Sequence, residues 1–263
     1  MSTLSLPAYG ISIGDGQKLT VMAGMNVLES RDLAMSICDH LQKVCTRLDV
    51  SFIFKASFDK ANRSSIKSYR GPGLEEGLKI LADVKSEFGV PIVTDYHTPE
   101  QAEPVAEVAE VVQVPAFLCR QTDLIVAGAE AVHKRGGWLH VKKAQFLAPW
   151  DCKNIITKVG EVVGEKSPVI LCERGSSFGY NNLVVDMLGI PAMKALGGGS
   201  TGGRREGVHI IAQSAIAAGA DGVFLEFHPD PDKALCDGPS CLPLDGAEAL
   251  LARLKSLHEV VNG

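Results

Sequence analysis

Short apolar runs alternate along the chain with longer stretches whose apolar residues recur every three or four positions. The runs are Leu19–Ala23, Ser51–Phe54, Pro91–Val93, Val111–Val114, Trp138–Val141, Val169–Cys172 and Gly222–Leu225, each of a length suited to a buried strand. Between and after them, helical spacing predicts helices over Arg31–Leu48, Leu74–Phe88, Pro99–Val108, Thr122–Lys134, Trp150–Val163, Arg204–Ala218 and Asp245–Val261. In the first, Leu33, Ile37, Leu41 and Val44 form one stripe, and Ser30 stands where a cap for the first turn belongs. Strand then helix, repeated, means parallel strands joined by crossovers, because parallel neighbours cannot be linked by a tight turn. A hairpin is expected ahead of this series, from Ile11 to Leu19, with Asp15-Gly16 as its turn. The pattern contains no linker or low-complexity break, so residues 1–263 read as a single α/β domain.

The residues that end these runs carry the chemistry. Lys55 follows Phe52-Ile-Phe, Asp95 follows Ile92-Val-Thr, and Gln113 follows Val112. Lys142 and Lys143 follow Leu139-His-Val, Glu173-Arg174 follows Ile170-Leu-Cys, and Glu226 follows Val223-Phe-Leu, with His228 two residues on. Parallel strands bring such residues to one face, where ligands bind in closed barrels and open sheets alike. Lys142 and Lys143 point to opposite faces, and alternation alone does not say which looks inward. Between Lys55 and Arg70, five cations lie within sixteen residues, accompanied by Ser57, Asn62, Ser64 and Ser65. This reads as an anion site more readily than as a solvated loop, since Arg and Lys both suit phosphate and carboxylate groups. The glycine loop from Gly197 to Gly203 precedes a helix and fits a connector or a phosphate cradle equally. It matches neither a Walker loop nor a dinucleotide fingerprint.

Composition narrows the possibilities. The chain has 26 basic and 31 acidic residues, a net charge of −5, so no basic excess marks a nucleic-acid partner. No apolar run reaches bilayer length and no secretory leader is evident, which points to a cytoplasmic protein. Seven cysteines without a Cys-x-x-Cys pair suit reduced thiols. His97, His140, His228, Glu226 and Asp237 lack the compact spacing of a zinc site, so no metal and no cofactor are expected.

Several segments together resemble one family. Asn26-Val-Leu-Glu-Ser, Phe54-Lys-Ala-Ser-Phe-Asp-Lys-Ala-Asn-Arg-Ser-Ser, Pro115-Ala-Phe-Leu-Cys-Arg-Gln-Thr-Asp, Lys142-Lys-Ala-Gln-Phe, Glu173-Arg-Gly and His228-Pro-Asp-Pro resemble the 3-deoxy-D-manno-octulosonate 8-phosphate synthases, from about residue 20 onward. The resemblance implies a homotetrameric (β/α)8 TIM barrel. It implies a transferase that joins phosphoenolpyruvate to arabinose 5-phosphate, with release of phosphate, for lipopolysaccharide synthesis. Carried over by motif, Lys55, Lys60, Gln113, Ala116, Lys142 and Arg174 take the phosphoenolpyruvate, with Ser57 beside them. Asn62, Arg63 and Ser64 take the sugar phosphate and Asp95 the sugar hydroxyls. Asn26 stands where a metal-dependent branch has a cysteine ligand, which implies the metal-independent branch and leaves Glu226 and Asp237 in polar roles. The alternatives are a 3-deoxy-heptulosonate 7-phosphate synthase, which shares the barrel and the phosphoenolpyruvate chemistry, and a non-catalytic remnant.

The remnant reading arises from a departure. Seven strands are counted where a closed barrel wants eight, and Leu196 runs directly into Gly197 where the resemblance implies a seventh strand bearing a histidine. The expectation is therefore a barrel with that strand missing.

Overall fold

The computed structural model describes residues 3–164, 167–196 and 205–262. The first hairpin pairs β1 (Leu4–Leu6) with β2 (Ile11–Ile13), antiparallel. This corrects the expected hairpin: β2 turns back on the residues before it, through Pro7–Tyr9 and a left-handed Gly10, and not on Leu19. Asp15-Gly16 instead forms the bend that leads into the sheet, because β2 has already spent its ladder on β1.

The sheet strands are β3 (Thr20–Val27), β4 (Ser51–Ser57), β5 (Ile92–Asp95), β6 (Val111–Val114), β7 (Trp138–Lys142), β8 (Val169–Cys172), β11 (Gly222–His228) and the two-residue β12 (Leu242–Pro243). A small antiparallel pair, β9 (Ser176–Ser177) with β10 (Leu183–Val184), follows β8. The helices are α1 (Arg31–Leu48), α2 (Leu74–Phe88), α3 (Ala102–Val108), α4 (Thr122–His133), α5 (Lys153–Val163), α6 (Gly189–Lys194), α7 (Arg205–Ala217) and α8 (Ala247–Asn262). The expected cap on α1 is present, with Ser30 Oγ accepting from Leu33 N at 3.2 Å.

The eight-stranded sheet is parallel throughout, in the order β12-β11-β3-β4-β5-β6-β7-β8. It curls strongly. Phe224 on β11 and His140 on β7 are five strands apart in that order, yet their rings stack at 5.4 Å. Five flat strand spacings would separate them by about 24 Å. The architecture is thus α/β with a barrel-like parallel sheet.

Alternation sorts the strand residues into two cores. Val21, Ala23, Phe52, Phe54, Val112, Leu139, Val141, Leu171 and Val223 face the helices, where they meet Ile37, Leu41, Leu81, Ile125 and Leu251. Met22, Ile53, Val93, Val111, Trp138, Ile170 and Phe224 face inward, and Leu6, Ile11 and Ile13 of the hairpin pack on them as a plug at the amino end. The Tyr9 hydroxyl donates to Glu110 Oε1 at 2.8 Å, fastening the plug to the residue ahead of β6.

Two features bear on the expected gap. Each of α1 to α5 is followed by a sheet strand, whereas among the described residues α6 is followed by α7. The segment 197–204, which carries the Leu196–Gly197 junction, the glycine loop and the expected start at Arg204, lies outside the described residues. At the end of α6, Lys194 Nζ donates to Gly219 O at 2.9 Å and Asp221 Oδ1 at 2.8 Å, and lies 2.9 Å from Asp15 Oδ1. One ammonium thereby ties α6 to the approach to β11 and to the bend before β3.

The strands β3 and β4 approach closely at Gly24, where an added Cβ would lie 2.0 Å from Lys55 O. Gly24→Ala should therefore destabilise the protein by about 1–3 kcal/mol through overpacking. Urea unfolding followed by far-UV circular dichroism checks this.

Candidate active site

The strands run further toward their carboxyl ends than the apolar runs suggest, so the residues expected just beyond them are the last strand residues. Asn26 lies on β3, Lys55 and Ser57 on β4, Asp95 on β5, Gln113 on β6, Lys142 on β7 and Glu226 on β11. An even spacing from Ile53, Val93, Val111, Trp138 and Phe224 puts those on β4, β5, β6, β7 and β11 on the inner face, and Asn26, beyond an irregularity in β3 at Gly24–Val27, joins them through its bond to Glu226.

At the centre is Glu226. Its Oε1 accepts from Lys55 Nζ at 2.5 Å and lies 4.0 Å from Lys60 Nζ, while its Oε2 accepts from Asn26 Nδ2 at 2.5 Å. Lys55 also donates to Asn26 O at 2.9 Å and Met25 O at 3.3 Å. Lys142 Nζ sits 4.0 Å from the centroid of the Phe224 ring, and Lys55 Nζ 5.4 Å from it, so one aromatic ring supports two cations.

Burial and neighbouring charge set the protonation states. Burial, against the attraction of Glu226, lowers the Lys55 pKa to about 8. Burial likewise lowers that of Lys142. For Lys60 burial works downward, but Glu226 and Asp95 outweigh it and hold the ammonium above its ordinary range. Burial works upward on Glu226, and the charges of Lys55, Lys60 and Lys142 overcome it, so its carboxyl stays ionised well below the usual carboxylate range. Asp95 behaves alike: burial raises, while the His97 hydrogen bond and the Lys60 charge lower further. Three cations thus share two carboxylates in a pocket sheltered from water, a surplus suited to an anionic ligand.

The remaining expected residues ring this cluster. Arg174 stands at the carboxyl end of β8, with Nη1 buried and without a hydrogen-bond partner among the described residues. Ala116 is buried in a single 3-10 turn after β6. Asn62, Arg63 and Ser64 lie in the loop after β4, Asn62 and Ser64 exposed. Arg63 reaches across to Cys236 Sγ at 2.8 Å and Asp237 Oδ1 at 3.3 Å. Asp237 is therefore on the rim, half exposed and paired, outside the Glu226 cluster.

The lysine choice left open by alternation is resolved. Lys142 faces inward over Phe224, and Lys143 is fully buried on the other side. Lys143 Nζ donates to Ala144 O, Leu147 O and Ser176 Oγ at 3.2–3.3 Å and lies 3.4 Å from Glu173 Oε1. That oxygen in turn accepts from Arg174 N and Gly175 N at 2.9 and 2.6 Å. This pair joins the loops after β7 and β8, an anchor that sequence reasoning missed because a buried lysine has no pattern. His97 was likewise missed except as a metal candidate. Its Nε2 lies 3.3 Å from Asp95 Oδ2, and its ring meets Phe58 edge-on. The short Asp95-Tyr-His97 spacing was the available signal.

A curled parallel sheet with a buried cationic pocket at its carboxyl end defines an α/β barrel-type enzyme for anionic substrates. The chain belongs to the DAHP synthetase I family, whose profile matches residues 2–262. It is similar to proteins named 2-dehydro-3-deoxyphosphooctonate aldolase. Against that of Marinobacter nauticus it is 51% identical, with 99% of this chain and 97% of the relative covered. Against that of Vibrio cholerae serotype O1 it is 52% identical, covering 95% and 93%, and against that of Hahella chejuensis 51%, covering 99% and 97%.

Glu226→Gln should destabilise the protein by about 3–5 kcal/mol at pH 7, because it leaves buried ammonium groups without their counter-charge. The deficit should shrink as pH rises toward 9. The Lys55 pKa, already about 8, would fall further in the variant, so its proton, and with it the penalty, is lost as pH rises. Denaturant titrations of both proteins from pH 7 to 9 measure the difference.

Proposed function

We propose that this protein condenses phosphoenolpyruvate with arabinose 5-phosphate and water, yielding 3-deoxy-D-manno-octulosonate 8-phosphate and inorganic phosphate. The observation that carries this reading is the buried surplus of Lys55, Lys60 and Lys142 around Glu226 at the mouth of the sheet, in a chain whose relatives carry the aldolase name. Lys60, Lys142 and Arg174 bind the phosphate and carboxylate of phosphoenolpyruvate, together with Lys55, Gln113, Ser57 and the Ala116 amide. Asn62, Arg63 and Ser64 hold the sugar phosphate, and Asp95, oriented by His97, accepts from the sugar hydroxyls. Asp237 sets Arg63 at the rim.

C3 of phosphoenolpyruvate attacks the sugar aldehyde as water adds at C2, and the resulting phosphohemiketal expels phosphate. Most of the acceleration comes from holding two anions against each other and from fixed charges that stabilise the transition state. Asn26, held by Glu226, orients the aldehyde, and the reaction proceeds without a metal: an amide committed to a carboxylate is a poor ligand for a soft ion. The product feeds lipopolysaccharide synthesis from the cytoplasm.

The scaffold is a single-domain (β/α)8 barrel from which the strand between β8 and β11 is deleted. Supporting this, α6 precedes α7 among the described residues. The match to the Marinobacter relative also extends over 278 positions, more than the 263 residues of this chain. Lys194 spans the seam.

A phosphate-release assay tests the function. Turnover is expected with arabinose 5-phosphate and phosphoenolpyruvate, unchanged by chelator. Preference for erythrose 4-phosphate would favour the heptulosonate synthase that the family description names, and binding without turnover would favour the remnant. Lys142→Met should lower kcat/KM for phosphoenolpyruvate by about 10²–10³.

The protein assembles as the homotetramer that the family resemblance implies, and exposed Phe117, Phe146, Trp150, Phe178, Tyr180 and Leu188, in loops after the neighbouring strands β6, β7 and β8, are apolar side chains that an interface would cover. Light scattering after size exclusion should give four chains, and Trp150→Glu with Phe178→Glu should give fewer.

A further inference from the structure

Besides Asn26 Oδ1 and Ser57 Oγ, four buried polar atoms on the inner face have no hydrogen-bond partner among the described residues: Asp95 Oδ1, Gln113 Oε1 and both ring nitrogens of His140. They are not scattered. Asp95 is the register partner of Gln113 across β5 and β6, and Gln113 that of His140 across β6 and β7. Partners on adjacent parallel strands project to the same side, one strand spacing of about 4.8 Å apart. The three side chains therefore form one row, and His140 lies two residues before Lys142 on the same face of β7.

His140 is fully buried and held parallel to the Phe224 ring, at 5.4 Å and 12°. The same Phe224 ring lies beneath the Lys142 ammonium. Burial, with the charge of Lys142, lowers the His140 pKa to about 3. At pH 7 the ring is then neutral, with one N–H to give and one lone pair to receive, and it is far too weak a base to take a proton. A buried polar atom left without a partner is costly, because it gives up its bonds to water and gains none. Four on one row are accounted for by ordered water, which needs two to four polar partners in a small space.

We propose that Asp95, Gln113 and His140 form a water-holding floor beneath the cationic pocket, and that His140 orients the water that adds to phosphoenolpyruvate, resting as this does on the condensation proposed above. The water oxygen bonds to C2 as the C2=C3 electron pair forms the bond to the aldehyde carbon. The aldehyde π pair moves to its own oxygen, which takes up, net, the proton the water gives up. Phosphate then leaves from C2 with its bonding pair, the C2 hydroxyl passes its proton to it, and no oxidant or reductant is needed. His140 is a positioning residue in this scheme.

Steady-state kinetics separate the possibilities. His140→Leu should lower kcat by about a hundredfold while KM for phosphoenolpyruvate changes less than about threefold. His140→Asn, which keeps a donor and an acceptor, should return kcat to within about tenfold of the unaltered protein. Full kcat in His140→Leu, or equal losses in both variants, would overturn the role of His140. If the unaltered protein releases no phosphate, the condensation itself falls and the water-orienting role with it. A crystal structure of the unaltered protein at about 1.6 Å stands apart from activity and from the folding of any variant. Water within hydrogen-bond reach of a His140 nitrogen and of Gln113 Oε1 supports the floor, and a dry row refutes it.

Discussion

The Glu226 carboxylate is the constraint on which the site depends. Burying an ammonium without a counter-charge is prohibitively unfavourable, and here three lysines converge where strands β4 and β7 and the loop after β4 meet. Glu226 makes their convergence tolerable by bonding Lys55 and Asn26 with separate oxygens and standing within reach of Lys60. It leaves the pocket cationic on balance. A further carboxylate beside Glu226 and Asp95 would make the fold more comfortable and cancel the surplus of positive charge. The stability of the empty protein and its affinity for ligand therefore pull against each other at this one side chain.

The geometry around that carboxylate is delivered by alternation on rigid strands. Inner positions change character along each strand, from Met22, Ile53 and Phe224 near the plug to Asn26, Lys55 and Glu226 near the mouth. Outer positions stay mostly apolar, with Thr94 a small polar interruption on β5. One face of the sheet is thus a gradient from oil to charge, and the other is uniform packing for helices. Lys143 is the charged exception on the outer side, and its Glu173 partner turns an expensive burial into a fastening between two mouth loops.

Much of this was legible in the chain. The apolar runs located seven strands within a few residues, and the polar residues at their ends named Lys55, Asp95, Gln113, Lys142 and Glu226 as one set. What escaped had physical reasons. The hairpin partner of Ile11–Ile13 depended on which neighbour claimed its hydrogen bonds, and Asp15-Gly16 made as good a turn on paper as Gly10 does in fact. The stacking of His140 on Phe224 joins residues 84 positions apart in sequence and exists only because the sheet curls, a property no local pattern encodes. Asp237 occupies a left-handed turn that aims it at Arg63, a backbone detail hidden behind a promising acidic residue.

The pairing of β11 with β3 has a consequence for how the molecule is made. Translation delivers β3 early, yet its second neighbour begins only at Gly222, about 195 residues later. At the usual 5–20 residues per second the ribosome takes roughly 10–40 s to cover that distance. Throughout it, one flank of a deeply apolar strand waits with its amides unspoken for, an invitation to any extended chain nearby. The nascent polypeptide is thus most vulnerable to mispairing just when it already looks three-quarters built.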